Sequence, residues 1–381
     1  MNTNKFALNS YNEWGRLREV IVGNPFSKDD ILVDFSFCHF HFDNINTHFD
    51  IIKKHNVIEN ENVSAIKFNP QYIDELREDI DGLVLALEKV GVNVLRPKQI
   101  KSGASICLPY WEAKAWPALN VRDRILILGD NMIETTPCIR SRYLETDLLK
   151  EILYGYFQTG ANWICMPRPV MTDASFDLSY INNQAYKSAS RELISFKEKN
   201  YYDIGIELLM DAANCLRLGK DIIINVADKN QYLAFQWLKR TLGHGFNFHK
   251  IDSLTDNHID SYIIIIRPGL LLLRNKSVID KLPEFMSNWD YIIAPEPTDD
   301  LFPNYESDNL IITSKYIDTN ILSLNENTVI ANSLNKNLIQ SLEKRNINVI
   351  PVRHRHRRLF GGGFHCFTLD TNRDSEYISY I

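Results

Sequence analysis

Apolar positions along the chain follow two alternating periods. Five times a helical spacing gives way to a short turn and then to a β-branched run. In the first unit Ile80, Leu83, Val84 and Leu87 fall at i, i+3, i+4 and i+7, which is one face of a helix. Gly91 stops that helix, and Val92–Leu95 reads as a strand ending at Pro97. The second unit is Leu148–Phe157, Gly160, then Trp163–Met166 and Pro167; the third is Tyr232–Leu242, Gly243 and Phe246–Ile251. The fourth predicts a helix over Val278–Met286 and a strand at Tyr291–Ile293, and the fifth a helix over Leu338–Lys344 and a strand at Ile347–Ile350. Between the units lie further strands, at Val20–Val22, Ile125–Ile127 and Asp221–Ile224. The apolar stretch from Tyr262 to Leu273, interrupted by Arg267, Pro268 and Gly269, reads as two short buried strands. Residues 25–70, rich in Asn, Asp, Phe and His, lack either period and read as an irregular insertion in a single domain spanning residues 1–381.

Alternating helices and strands define an α/β class. The repeat is too irregular for a solenoid of equal units. Five strand-rich units with one helix each predict a ring, with strands lining a central channel and helices outside. A doubly wound sheet is the competing reading, and it would normally carry a glycine-rich phosphate loop. Neither GxGxxG nor GxxxxGK[ST] occurs, so a nucleotide site is not supported.

Composition narrows the function without naming it. The 381 residues are 45% hydrophobic and 24% charged, enough for a sizeable core in water. A net charge of −6 gives no general attraction to nucleic acid or anionic membranes. No apolar run approaches the roughly 18 residues of a membrane span, and Met1–Phe6 lacks an apolar signal stretch, so a cytoplasmic location is expected. Six cysteines without a CxxC pair indicate neither a disulfide framework nor a zinc site.

Four places carry candidate chemistry. Phe360-Gly361-Gly362-Gly363-Phe364-His365-Cys366 is a glycine turn ending on a cysteine, where a ligand can approach the main chain closely. Cys366 is either a nucleophile or a small buried hydrophobe after a turn. A nucleophilic thiol needs a base or cation beside it. His258-Ile259-Asp260 precedes a predicted strand, in which His258 and Asp260 would point to the same side; a solvated loop pair is the plainer alternative. Asp211-Ala212-Ala213-Asn214 sets a carboxylate beside small residues, for close approach or as a self-capped turn. Arg122-Asp123-Arg124 leads into a strand, and Asp123 by itself reads equally as a surface ion pair. Two further features read as structure. Arg353–Arg358, with four arginines and two histidines, reads as a solvated loop at the channel mouth, placed to attract an anionic small molecule. The aromatic cluster Phe35–Phe42 reads as core packing.

Taken in order, these stretches resemble the amidinotransferases, over nearly the whole chain. The resemblance runs through Asn9–Trp14, Glu19–Gly23, Arg122-Asp123, Arg140–Glu145, Pro167-Arg168-Pro169, Asp211–Asn214 with Arg217 and Gly219, and His258–Asp260. It continues through Pro268-Gly269, Thr313-Ser314-Lys315 with Asn320, and Gly361–Cys366. It implies a pseudo-fivefold α/β propeller, the pentein fold, and a transfer of an amidino group from arginine or a related guanidine to an amine. Cys366 would be the nucleophile, His258 the acid and base, and Asp211 its orienting partner. Asp123 and Asp260 would clamp the guanidinium. Arg122, Asn214, Thr313 and Ser314 would contribute to substrate binding. No metal or organic cofactor is implied, and the partners are small molecules, with a homodimer expected. The sequence departs from the family in two places. Ser277 stands where relatives carry an arginine for the donor's carboxylate, leaving Lys276 or Arg274 as substitutes. Asn257 replaces a methionine of the glycine enzymes and points to another acceptor. Asp211-Ala212-Ala213-Asn214 favours transferases over the hydrolases of the same group, which remain the alternative.

Overall fold

Antiparallel strand pairs, each completed by a parallel third strand, form the five larger sheets of the chain. The computed structural model describes residues 5–27, 31–39, 64–66, 68–187, 199–255, 258–305 and 311–381. Strands β1 (Leu17–Val22), β2 (Ile31–Val33), β3 (Ser64–Ile66), β4 (Asn93–Leu95), β5 (Ser105–Leu108), β6 (Trp111–Lys114), β7 (Ile125–Leu128), β8 (Asn131–Glu134) and β9 (Asn162–Cys165) occupy the first half. The second half holds β10 (Cys215–Leu218), β11 (Asp221–Val226), β12 (Asn247–Asp252), β13 (Ile263–Arg267), β14 (Leu270–Leu273), β15 (Asp290–Ile293), β16 (Leu322–Asn325), β17 (Thr328–Asn332), β18 (Asn348–Val352) and β19 (Thr368–Arg373). Described helices are α1 (Pro70–Lys89), α2 (Lys150–Gln158), α3 (Leu178–Lys187), α4 (Lys229–Leu242), α5 (Lys336–Glu343) and the single turn α6 (Arg357–Phe360).

Five three-stranded mixed sheets repeat one plan, β7-β8-β9, β10-β11-β12, β13-β14-β15, β16-β17-β18 and β19-β1-β4. The first two strands of each are antiparallel and the third is parallel to the second. A parallel neighbour requires a crossover, which the amphipathic segments of the sequence provide. In the last sheet the two ends of the chain meet, since β1 pairs antiparallel with β19.

Burial follows this plan. The hairpin strands are apolar on both faces, as in β13 and β14, and are buried almost throughout. The third strands β9, β12 and β15 are mostly exposed or half-buried edges. Helix α4 begins at Asp228, whose side chain accepts the Gln231 N–H, and buries Ala234, Phe235, Leu238 and Leu242. Those side chains share a core cluster with Ile222 and Ile224 of β11.

Three expectations need correction. The fourth predicted helix is two short 3₁₀ turns, Lys276–Lys281 and Glu284–Met286. Pro283, with no N–H to give, separates them, although Val278 and Met286 still face the core. The region 25–70 holds regular secondary structure among its described residues. Strands β2 and β3 pair, and a 3₁₀ turn Phe35–Cys38, capped by Asp34, buries Phe35 and Phe37 in the core as expected. Residues 40–63 of that region, with Phe40–Phe42, lie outside the described residues, as does Asn257. Finally, Arg353–Arg358 is not a solvated loop. Arg355 donates to Asp79 and Glu78 of α1, His356 meets Glu75, and buried Arg357 pairs with Asp318 at 2.6 Å. Asp79 is a carboxylate on the buried face of α1, and the segment supplies its countercharge.

Candidate active site

Short turns ahead of the sheets' first strands present the candidate residues. Asp123 ends a 3₁₀ turn before β7, and Asp211 immediately precedes the turn Ala212–Asn214 before β10, with its side chain not bonded to that turn. His258 immediately precedes the turn Ile259–Ser261 before β13, with Asp260 inside it. Both therefore come from a turn and not from the alternation of a strand. Asn320 follows the turn Lys315–Thr319 before β16, and Cys366 precedes β19. The same place in all five sheets thus contributes to one site, and Asn320 is the member to which the sequence had given no role.

The glycine turn positions Cys366 by two means. Gly361 takes the left-handed conformation at φ 74°. Gly363 is required for space, since a Cβ there would lie 2.7 Å from both Cβ and the carbonyl oxygen of Asn320. Asn320 Oδ1 accepts the Cys366 N–H at 2.9 Å, and its Nδ2 donates to the Asp260 carbonyl at 3.1 Å.

Around the thiol stand three aspartates and a histidine, all buried. Cys366 Sγ is 3.4 Å from Asp260 Oδ2. His258 Nε2 is 3.0 Å from Asp211 Oδ2, and His258 Nδ1 is 3.6 Å from Asp123 Oδ1. Arg142 Nη1 donates to Asp123 Oδ2 at 2.7 Å, and its other nitrogens grip Glu145. Arg124 Nη1 stands 3.8 Å from Asp211 Oδ1. One atom each of Asp123, His258 and Cys366 lie within 4.8 Å of one another.

The charges follow from this arrangement. Burial works against a charged His258, but Asp123 first, and then the hydrogen bond with Asp211, raise its pKa to about 9. Burial works against Asp211 too, yet His258 and Arg142 hold it below the usual carboxylate range. For Asp123 burial wins, raising its pKa despite His258 and Arg142. Burial, then Asp260 and Asp123, push the Cys366 thiol well above its ordinary value. Asp123 Oδ1 and Asp260 Oδ1 are buried without a hydrogen bond from any described residue. Two such oxygens beside a thiol call for a cation with N–H groups.

The remaining candidates lie differently. Arg122 works beneath the site, donating from Nε to the His365 carbonyl at 2.8 Å and from Nη2 to Asp370 at 2.5 Å. Asn214 accepts from Asn225 Nδ2. Thr313 Oγ1 donates to the carbonyls of Arg357 and Arg358, and Ser314 Oγ accepts from Arg274 Nη2 at 2.7 Å. Arg274 is sandwiched between Tyr262 and Tyr316, 4.5 and 4.9 Å from the ring centres. Lys276 is exposed. Besides Asn320, sequence reasoning gave no role to Arg142, Glu13 or His365. Each lies in a stretch that carried the resemblance, and that was the available signal.

No protein-family model matches the chain. It is 31% identical over 365 residues to inosamine-phosphate amidinotransferase 1 of Streptomyces griseus, covering 95% of this chain and 96% of that one. It is 32% identical over 316 residues to the L-arginine:L-lysine amidinotransferase of Pseudomonas savastanoi pv. phaseolicola, covering 82% and 83% of the two chains. The solved structure of the Streptomyces griseus enzyme superposes with a TM-score of 0.79, covering 98% and 99%. An amidinotransferase of the saxitoxin pathway from Microseira wollei gives 0.76 at 28% identity, with the same coverage. A dimethylarginine dimethylaminohydrolase, at 13% identity and a TM-score of 0.55, shares the fold alone. The chain belongs to the amidinotransferase family and is an enzyme. Its mixed sheets are those of the pentein-fold enzymes among these neighbours.

Proposed function

We propose that the enzyme moves an amidino group from L-arginine, or a related guanidine, to an amine of specialised metabolism through an amidino-cysteine intermediate. The observation that carries this is the pair of buried, unbonded oxygens on Asp123 and Asp260 beside Cys366 and a protonated His258. A planar guanidinium, with its donors fixed in one plane, fits the two carboxylates better than an ammonium does. Its charge offsets Asp260 and Asp123, so the thiol loses its proton to solvent as the donor binds. Sγ then bonds to the guanidinium carbon and the C–N bond to the donor's amine breaks, with His258 giving that nitrogen a proton. The acceptor amine next attacks the amidino carbon, neutral His258 takes its proton, and Sγ leaves as thiolate. Asp211 keeps the imidazole oriented throughout. Arg274, held against Ser314, is better placed than exposed Lys276 to meet the donor's carboxylate. The pairing of β1 with β19 supports a single-domain reading in which the five sheets close a propeller around the site.

Carboxylate, imidazole and thiol at this spacing also form a set that metals accept. A ligating imidazole must be neutral, whereas Asp123 and Asp211 flank both nitrogens of His258 and favour its charged form. The reading without a metal expects full activity after dialysis against a chelator. The deciding experiment is intact-protein mass spectrometry after acid quench with arginine alone. One amidino group on Cys366, lost on adding an amine, supports the transferase. Citrulline or urea without an acceptor supports the hydrolase instead.

A further inference from the structure

His365 is buried at 4% exposure between two carboxylates, and the steps above do not use it. Its Nδ1 is 2.7 Å from Asp260 Oδ2, and its Nε2 is 3.3 Å from Glu13 Oε2. Asp260 Oδ2 is also the atom that Cys366 Sγ approaches. Glu13 is itself gripped by Arg217 through Nε and Nη2, each at 2.8 Å, with Arg122 3.7 Å away. A continuous chain therefore runs from Arg217 through Glu13, His365 and Asp260 to the nucleophile.

We infer that His365 is a positioning residue that bridges Glu13 and Asp260 as a doubly protonated imidazolium, fixing which oxygen of Asp260 faces the donor. This rests on the reading of Asp260 as part of a guanidinium clamp. An ionised carboxylate only accepts hydrogen bonds, so two such neighbours require a proton on each ring nitrogen. Both neighbours are ionised. Burial opposes it, but Arg217 holds Glu13 well below the usual range, and the His365 hydrogen bond lowers Asp260. The bridge saturates Oδ2 with donors from His365 and Cys366. That leaves Oδ1, buried and without a hydrogen bond, as the acceptor for a substrate N–H. His258, Arg122 and Cys366 are the other titratable or charged groups facing Asp260, and Arg122, Arg217, Arg373, Cys215 and Asp370 those around Glu13.

Two substitutions separate this from simple packing. The amide nitrogen of Asn stands near the position of Nδ1, and that of Gln near Nε2. His365→Asn keeps a donor toward Asp260 and drops Glu13, and His365→Gln does the reverse. The expected result is a loss of about 100-fold in donor kcat/KM for His365→Gln, mostly in KM, against about 10-fold for His365→Asn. The acid limb of the His365→Gln profile should also move to higher pH, because Asp260 loses its charged partner. Equal losses, or a better Gln variant, would show that His365 only fills space and would overturn the inference. If either variant fails to fold, neutron diffraction on the wild-type protein decides. Deuterium on both Nδ1 and Nε2 of His365 supports the bridge, and one bare nitrogen refutes it. That result needs no donor. It therefore stays separate from a failure of the guanidinium reading, which would appear as wild-type enzyme forming no adduct.

Discussion

Asn320 binds Cys366 directly. Its Oδ1 accepts the Cys366 N–H at 2.9 Å while its Nδ2 holds the Asp260 carbonyl at 3.1 Å. One amide side chain just ahead of the fourth sheet thus ties the main chain at Cys366, ahead of the fifth, to that at Asp260, ahead of the third.

Gly363 guards that link. Gly363→Ala places a methyl 2.7 Å from Asn320 Cβ and must displace it. The expected cost is about 1–3 kcal/mol of stability from overpacking. Activity should fall further, by about 100-fold, because reacting groups shifted by about an ångström lose that much. Urea unfolding and single-turnover kinetics would separate the two effects. A stable variant with normal turnover would show that the Asn320 link is dispensable.

The charge on His258 makes stability depend on pH. Its pKa is raised in the fold to about 9 by Asp123 and Asp211, against an unfolded value near 6.5. A raised value means the folded state binds the proton more tightly. The stabilisation is complete below about pH 6.5 and fades as pH rises through 9, by roughly 3 kcal/mol in total. Urea midpoints at pH 6 and 9.5 should therefore differ more in the wild type than in His258→Gln. Identical pH dependence in the two proteins would place the imidazole's proton elsewhere.

A guanidinium should stabilise the protein thermally. At 100 times its Kd, arginine should add about 2.7 kcal/mol, seen as a rise of a few degrees in Tm. In Asp260→Asn that rise should disappear. The Cys366 thiol, which burial and then Asp260 push up, should react with iodoacetamide at lower pH in that variant. A thermal shift that survives Asp260→Asn would move the cation site away from Cys366.

Arg355 belongs to the scaffold. It binds the carboxylate of Asp79, which is 4% exposed on α1. Asp79→Ala should cost about 1–3 kcal/mol by removing the buried carboxylate that Arg353 and Arg355 share, and Arg355→Ser less, because Arg353 and the main-chain N–H of residue 355 still reach Asp79. Neither should change the acceptor's KM. A raised KM with unchanged melting would return the segment to the role of an anion-attracting mouth.

The sequence by itself determined the repeating units and singled out most of the candidate site residues. Helical and β-branched periods are local, and they located four of the five crossovers and the paired strands within Tyr262–Leu273. The fourth crossover was misread because its apolar spacing fits a helix even though Pro283 interrupts its hydrogen bonds. Cys366, His258, Asp211, Asp123 and Asp260 were legible because they lie in short stretches whose order matched a family. Only the tertiary structure decided who pairs with whom. Asn320 lies 46 residues from Cys366 and Glu13 lies 352 from His365, and no periodicity reports a contact across such separations. The same holds for Arg353–Arg358. A run of positive charge looks solvated until the fold brings Asp79, on an otherwise apolar helix face, against it. Protonation was equally hidden, because the states of His258 and Cys366 depend on burial and on carboxylates from other sheets.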